Sequence, residues 1–410
     1  MRTGSAELPL HYGAAPRWLF SRMSRLAGEI AEAVILEHGT RGLLERFSDP
    51  FWFQALGCVL GFDWHSSGLT TTTCGALKEA VKGREEELGL FVAGGKGATS
   101  RKTPSEIVAH CERTGSEPAS LVYASKAAAK VDSAAVQDGY QLYHHVFLFD
   151  RDANWAVVQQ GMSDATRMAR RYHWLSTGVR DFVCEPHAAI CSDARGATLN
   201  LVAQESEGVR RASAEAARRP PGEVMAELLH LRRLDLPRRH AVSLADIDPT
   251  RLERILLKTY VAQPTGFEAL LSIGGVGAKT VRALSLVSEL IYGESPSFED
   301  PARYSFAHGG KDGTPYPVDR VLYDRTIELL GRAIRRAKLD HAEELRALKR
   351  LERAFAGGEA DASVRQGRAA RSVNRARRTP QGPASAARSP STTTCPSLFS
   401  LPQSDPAPRR

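Results

Sequence analysis

Two apolar helical faces meet at a glycine-rich turn between Leu270 and Leu284, and this stretch constrains the fold more than any other. Leu270, Leu271 and Ile273 close one face; Val281, Leu284, Leu286 and Val287 open the next at helical spacing. Gly274, Gly275, Val276 and Gly277 stand between them. Glycines flanking the valine let the backbone take positive φ and approach a partner closely. The spacing predicts two helices joined by a tight turn, with the first amides of the second helix facing outward. Such a helix start favours an anion through its N–H groups and its dipole. A P-loop is excluded, because Ile273 and Ala278 stand where it needs its two glycines. A dinucleotide-binding turn follows a strand, whereas the pattern before Gly274 is helical.

The run Ile273, Gly275, Val276, Gly277, Ala278, Lys279 and Thr280 resembles the helix-hairpin-helix motif of DNA-repair and DNA-processing proteins. Gly274 stands where many members carry proline. The resemblance implies DNA as a partner, held by Gly275, Val276, Gly277, Lys279, Thr280 and Arg282. Lys279 also matches the nucleophilic lysine of the endonuclease III-like DNA glycosylases, and Pro317-Val318-Asp319 resembles a Pro-Val-Asp element of that family. That resemblance implies attack by Lys279 on C1′ of a damaged nucleotide, with Asp319 stabilising charge on the opening sugar. The target base would be flipped out of the stack. Burial beside cations suits such a lysine, because it favours the neutral amine. No cysteine lies between Asp319 and Cys395, so the iron–sulfur cluster of many relatives is not expected, and no cofactor is implied with certainty.

A formal net charge of +8 over 410 residues agrees with an anionic partner, nucleic acid first, although part of it sits in the C-terminal tail. Six scattered cysteines point to reduced thiols in a cytoplasm, here with association to the nucleoid, rather than to a disulfide framework. No apolar run is long enough to span a bilayer, so no membrane partner is expected.

The expected fold class is α+β: a mixed N-terminal domain over residues 1–195, a polar linker or exposed helix over 196–221, and an all-helical domain over 222–356 that carries the hairpin. Residues 357–410 read as a disordered basic tail. Within the first domain, Ser48-Asp49-Pro50 opens a buried helix. Leu90 to Ala93 reads as a short strand, and Tyr140 to Phe149 with Trp155 to Gln160 as a β-hairpin turning at Asp150 to Asn154. In the tail, Leu398, Phe399 and Leu401 form a short apolar cluster that a protein partner could dock.

A second polar set lies in the N-terminal half: Asp63, His65, Lys130, Asp132, Asp138, His144, Gln159, Arg171 and His173. Acidic residues near strands can hold Mg²⁺ for phosphodiester cleavage, so a metal-dependent nuclease is one alternative and a non-enzymatic DNA-binding adaptor another. His144 and His145 must face opposite sides of a strand, so at most one joins any single cleft. Cys184, His187 and Cys191 lack a fourth ligand for zinc. Gly94-Gly95-Lys96-Gly97 with Arg101 and Lys102 could cradle a phosphate.

From Met1 to about Phe355 the chain also resembles an uncharacterised prokaryotic family, a domain of unknown function. The resemblance rests on Met1-Arg2-Thr3-Gly4, Asp63-Trp64-His65-Ser66-Ser67-Gly68, Gln137-Asp138-Gly139-Tyr140, Arg170-Arg171-Tyr172-His173-Trp174 and His308-Gly309-Gly310-Lys311-Asp312-Gly313. It implies no particular activity.

Overall fold

A five-stranded antiparallel sheet divides the molecule into two helical layers. The computed structural model describes residues 17–61, 67–192, 195–231, 248–302, 320–337 and 340–352, with backbone alone at 320–325. All of them belong to one compact unit, residues 1–362. The motifs at Met1 to Gly4, Asp63 to Ser66 and His308 to Gly313, together with Asp319 and the expected tail, lie outside the described residues.

The first layer opens with α1 (Arg17–Ser48), kinked at Gly39, α2 (Pro50–Leu60) and α3 (Gly68–Val81). Asp49 sets the start of α2. Its carboxylate accepts from the amides of Phe51 at 2.8 Å and Trp52 at 3.2 Å, and Pro50 needs no donor partner there. A short helix α4 (Glu85–Leu88) leads into strand β1 (Leu90–Lys96). After a 3₁₀ turn come α5 (Thr103–Thr114) and α6 (Ala119–Lys130). The end of α6 widens into a π-helical turn over Val131–Ala135, followed by the two-residue β2 (Val136–Gln137).

The sheet is completed by β3 (Gln141–Asp150), β4 (Trp155–Met162), β5 (Ala169–Leu175) and β6 (Ala189–Cys191), in the order β1-β3-β4-β5-β6. The expected β-hairpin is present. Asp150 organises its turn by accepting from the amides of Asp152 and Asn154 at 3.0 and 2.9 Å. A second, two-stranded sheet pairs β2 with β7 (Leu199–Asn200). Then follow α7 (Glu207–Ala216), α8 (Pro221–Leu231), α9 (Pro249–Ala262), α10 (Phe267–Ser272), α11 (Ala278–Leu290) and α12 (Arg320–Arg336).

Strand alternation decides which side chain enters which layer. Leu90, Val92, Val146, Leu148, Ala156 and Val158 pack against α1, α2, α3 and the apolar face of α12. Phe91, Phe147, Phe149, Val157 and Trp174 pack the other way, into a core that continues through Val209 of α7 to Leu256, Leu270, Val276 and Val287. That core crosses both expected boundaries, at 195 and at 221. The stretch expected as a polar linker or exposed helix holds α7, with Val209 and Arg210 buried. Arg210 tolerates burial because its guanidinium donates to the carbonyls of Leu201 and Ala203 at 2.8 and 2.7 Å and to Glu207. Charge in the sequence concealed a core helix built on small residues.

Candidate functional site

The turn between α10 and α11 has the geometry its glycines require at one position only. Gly275 sits at φ 101°, in the region that disfavours a side chain. Gly277 is extended, at φ −143° and ψ −174°, and is the N-cap of α11. Positive φ was expected to account for both glycines, but at Gly277 it does not. With no side chain there, Gly277 cannot cap the first amides of α11, as serine or aspartate would. Val276 is fully buried, a side-chain burial worth about 1.5–3 kcal/mol, and its amide closes the turn on the Ile273 carbonyl at 3.1 Å. The valine pins the loop to the core while Gly275 and Lys279 face solvent.

Gln137 and Tyr123 tie this turn to the rest of the molecule. Gln137 of β2 donates to the Ala278 carbonyl at 3.0 Å and accepts from Arg282 Nε at 2.7 Å. Tyr123 of α6 donates to Glu268 of α10. Of the six candidate DNA contacts, Gly275 and Lys279 are exposed and Gly277 is half-buried. Arg282 is half-buried against Gln137, while Val276 and Thr280 are buried. Lys279 therefore lacks the burial expected of it from sequence. Lys130 is half-buried at the end of α6, and burial lowers its pKa.

The second polar set does not converge. Asp132, Asp138 and Gln159 lie on the sheet face towards α6, whereas His144, Arg171 and His173 lie on the face towards α1 to α3. Asp63 and His65 lie outside the described residues.

On the first face, the π-helical turn aims the fully buried Asp132 at three donors: Gln159 Nε2 at 2.5 Å, Trp174 Nε1 at 3.0 Å and His187 Nε2 at 2.5 Å. An indole N–H only donates, so Asp132 accepts. Gln159 spends its amide N–H on Asp132, and its oxygen faces His145 Nδ1 at 2.9 Å. His145 then carries its proton on Nδ1, and Nε2 accepts from the Ser125 hydroxyl at 2.9 Å. Burial lowers the His145 pKa and keeps the ring neutral. A serine donating to a neutral histidine is a nucleophile–base arrangement, here 2% exposed at Ser125 and enclosed by the packed layer around Asp132.

Asp138 is equally engaged. It accepts from Arg170 at 2.9 Å, from the Tyr172 hydroxyl at 2.6 Å and from the Tyr140 amide at 3.0 Å. Arg170 also donates to Asp300 at 2.7 Å, a buried bridge that ties the chain after α11 to the sheet. Of the three candidate aspartates for Mg²⁺, the two described, Asp132 and Asp138, are thus taken up by protein donors. Among the described residues no group of three or more His, Cys, Asp or Glu side chains is placed to hold a metal ion.

On the second face, Arg171 donates to Gln54 at 3.0 Å and to His173 Nε2 at 2.8 Å, and lies over the Phe53 ring. His173 must then donate from Nδ1 to the Phe47 carbonyl, at 2.9 Å. Both bonds require the neutral ring, and burial with Arg171 alongside lowers its pKa well below the usual range. The Gly94 amide, in the expected phosphate loop, is taken by Glu106 at 2.7 Å.

His145 and His187 were weighed from sequence, for a cleft and for zinc; Ser125 and Trp174 were not singled out for chemistry. The pairing of His145 with Gln159 was predictable from strand register; the reach of Asp132 and His187 was not, because a π-turn and a long loop place them. No helix among the described residues is long and apolar enough to cross a membrane. Residues 4–318 match the family described as Protein of unknown function (DUF763). No curated protein and no solved structure matches the chain.

Proposed function

We propose that this chain, which belongs to the DUF763 family, is a DNA-binding protein of repair or processing that grips the phosphate backbone with the α10–α11 turn, as a helix-hairpin-helix motif does. One observation carries the reading: a buried valine and a left-handed Gly275 present the start of α11 to solvent, with no side chain at Gly277 to cap it and Lys279 exposed beside it. Backbone amides, a helix dipole and an exposed lysine suit a phosphate and carry no base sequence information. The net charge of +8 supports the same partner. Binding should weaken steeply with salt and vary little between sequences. Titrating labelled duplexes of unrelated sequence at two salt concentrations tests this. Strong sequence preference with a shallow salt dependence would refute it.

The sharper version, an abasic-site lyase, needs a neutral amine near the bound strand. The half-buried Lys130, whose π-turn packs beside the start of α11, favours keeping it open. An amine that attacks C1′ forms a Schiff base, which borohydride reduces to a covalent protein–DNA adduct. Loss of the adduct in Lys279→Arg or Lys130→Arg, with binding retained, identifies the nucleophile. No adduct from the wild type on any abasic duplex removes the lyase and returns the protein to the adaptor or nuclease class.

A further inference from the structure

The sheet register lines up four polar residues in one row on the face opposite Asp132: Lys96, His144, Gln160 and Arg171. Directly paired residues share a face. Helix α3 covers this one. Gln160 Nε2 donates to the Ser67 carbonyl at 2.9 Å, and Arg171 donates to Thr70 Oγ1 at 3.3 Å. The first turn of α3, the positive end of its dipole, therefore stands over the row.

His144 sits in the middle of the row and is 1% exposed, yet neither ring nitrogen has a hydrogen-bond partner. Thr73 Oγ1, one turn beyond Thr70 on α3, is buried without a partner as well. Native proteins rarely leave such atoms unsatisfied unless a ligand, ion or water fills the place. The surroundings decide the sign of that ligand. Lys96 neighbours His144 across the strands and lies 5.8 Å from the centre of the Tyr143 ring. Burial above all brings the His144 pKa down to about 3, and the neighbouring Lys96 acts in the same direction. The ring stays neutral with one N–H to give, in a field that attracts negative charge.

We propose that this row binds a phosphate group. The His144 N–H and the Thr73 hydroxyl donate to its oxygens, the start of α3 faces it, and the exposed Lys96 at the rim supplies the counter-charge. The site lies on the opposite side of the sheet from the α10–α11 turn and does not depend on that turn's function. Its ligand is either free phosphate or the terminal phosphate of a nucleic-acid strand, since both present the same group.

Calorimetric titration of the full chain with inorganic phosphate, against sodium chloride of equal ionic strength and against acetate, tests the site. Phosphate should bind with measurable heat. His144→Leu and Lys96→Gln should each weaken it at least about tenfold, the scale of one charged hydrogen bond. His144→Leu removes two unsatisfied atoms, so its thermal midpoint without phosphate should equal or exceed that of the wild type. A histidine that served only the fold predicts a fall instead. Oligonucleotides with a 5′-phosphate or a 5′-hydroxyl separate the two sources. A preference for the phosphorylated end that inorganic phosphate competes away, and that survives Lys279→Gln, assigns strand ends. No such preference, with free phosphate still bound, assigns the free ion. Absence of phosphate binding by the wild type, equal binding of acetate, or unchanged binding in both variants would overturn the proposal.

Discussion

The layer around Asp132 and the turn before α11 put polar groups to opposite uses. Around Asp132 an aspartate, two histidines, a glutamine, a serine and a tryptophan satisfy one another inside the core. At the turn the chemistry is mostly backbone: glycine, an uncapped helix start and one exposed lysine. The residues richest in chemical potential are committed to the fold, and the plainest stretch is left facing solvent. Richness in acids and histidines here marks packing around Asp132, and the turn before α11 is the stretch left exposed.

Substitutions in the two regions should separate stability from binding. The largest effect is expected from Asp132→Ala, which strands three buried donors and should destabilise the protein by about 3–5 kcal/mol, the scale of a broken buried ionic network. Denaturant unfolding measures it. DNA affinity per folded molecule should not change; a large loss would mean that the layer takes part in binding.

Gly275→Ala comes next. A Cβ there has room, with Ile255 Cγ1 at 3.5 Å, so the cost is the backbone at φ 101°, about 1–3 kcal/mol. Because the turn carries both the core valine and the helix start, stability and DNA affinity should fall together. An unchanged affinity in the folded protein would detach the turn from binding.

Gly277→Asp should split them. Its φ suits an N-cap and nothing lies closer than 4.0 Å to the new Cβ, so stability should rise by about 0.5–1 kcal/mol. The same carboxylate occupies the amides and repels phosphate, so DNA affinity should drop about tenfold or more. A variant that is both more stable and tighter-binding would contradict the phosphate contact.

The smallest effect is a pH dependence. His144, His145 and His173 are buried with folded pKa values below the ordinary 6.5. The unfolded chain binds their protons first, so their contribution to stability is present above pH 6.5 and is lost as pH falls towards the folded values. Between about pH 6.5 and 5, above most carboxylate titration, unfolding free energy should decline, and His144→Leu should flatten that decline. An identical slope in the variant would show that His144 is not buried and neutral.

What the sequence made legible follows from the range of each interaction. The α10–α11 turn, the Asp49 cap and the β3–β4 hairpin depend on neighbours in sequence, and local pattern revealed them. Alternation along β3 places His144 and His145 on opposite faces from sequence alone. The shared core was hidden, because α7 looks polar until Arg210 is seen to meet the carbonyls of Leu201 and Ala203. The Asp132 cluster was hidden for a related reason: Trp174 and His187 reach it from 42 and 55 positions away. Only topology brings them there.

The central claim is that the start of α11 holds a phosphate, and one titration reaches it most directly. Full-length wild type and Lys279→Gln are compared on the same labelled duplex across a range of salt. Removing one phosphate contact should make the log–log salt slope shallower by about one unit, lower the affinity at low salt and leave the thermal midpoint unchanged. Identical affinity and slope in the two proteins would contradict the claim.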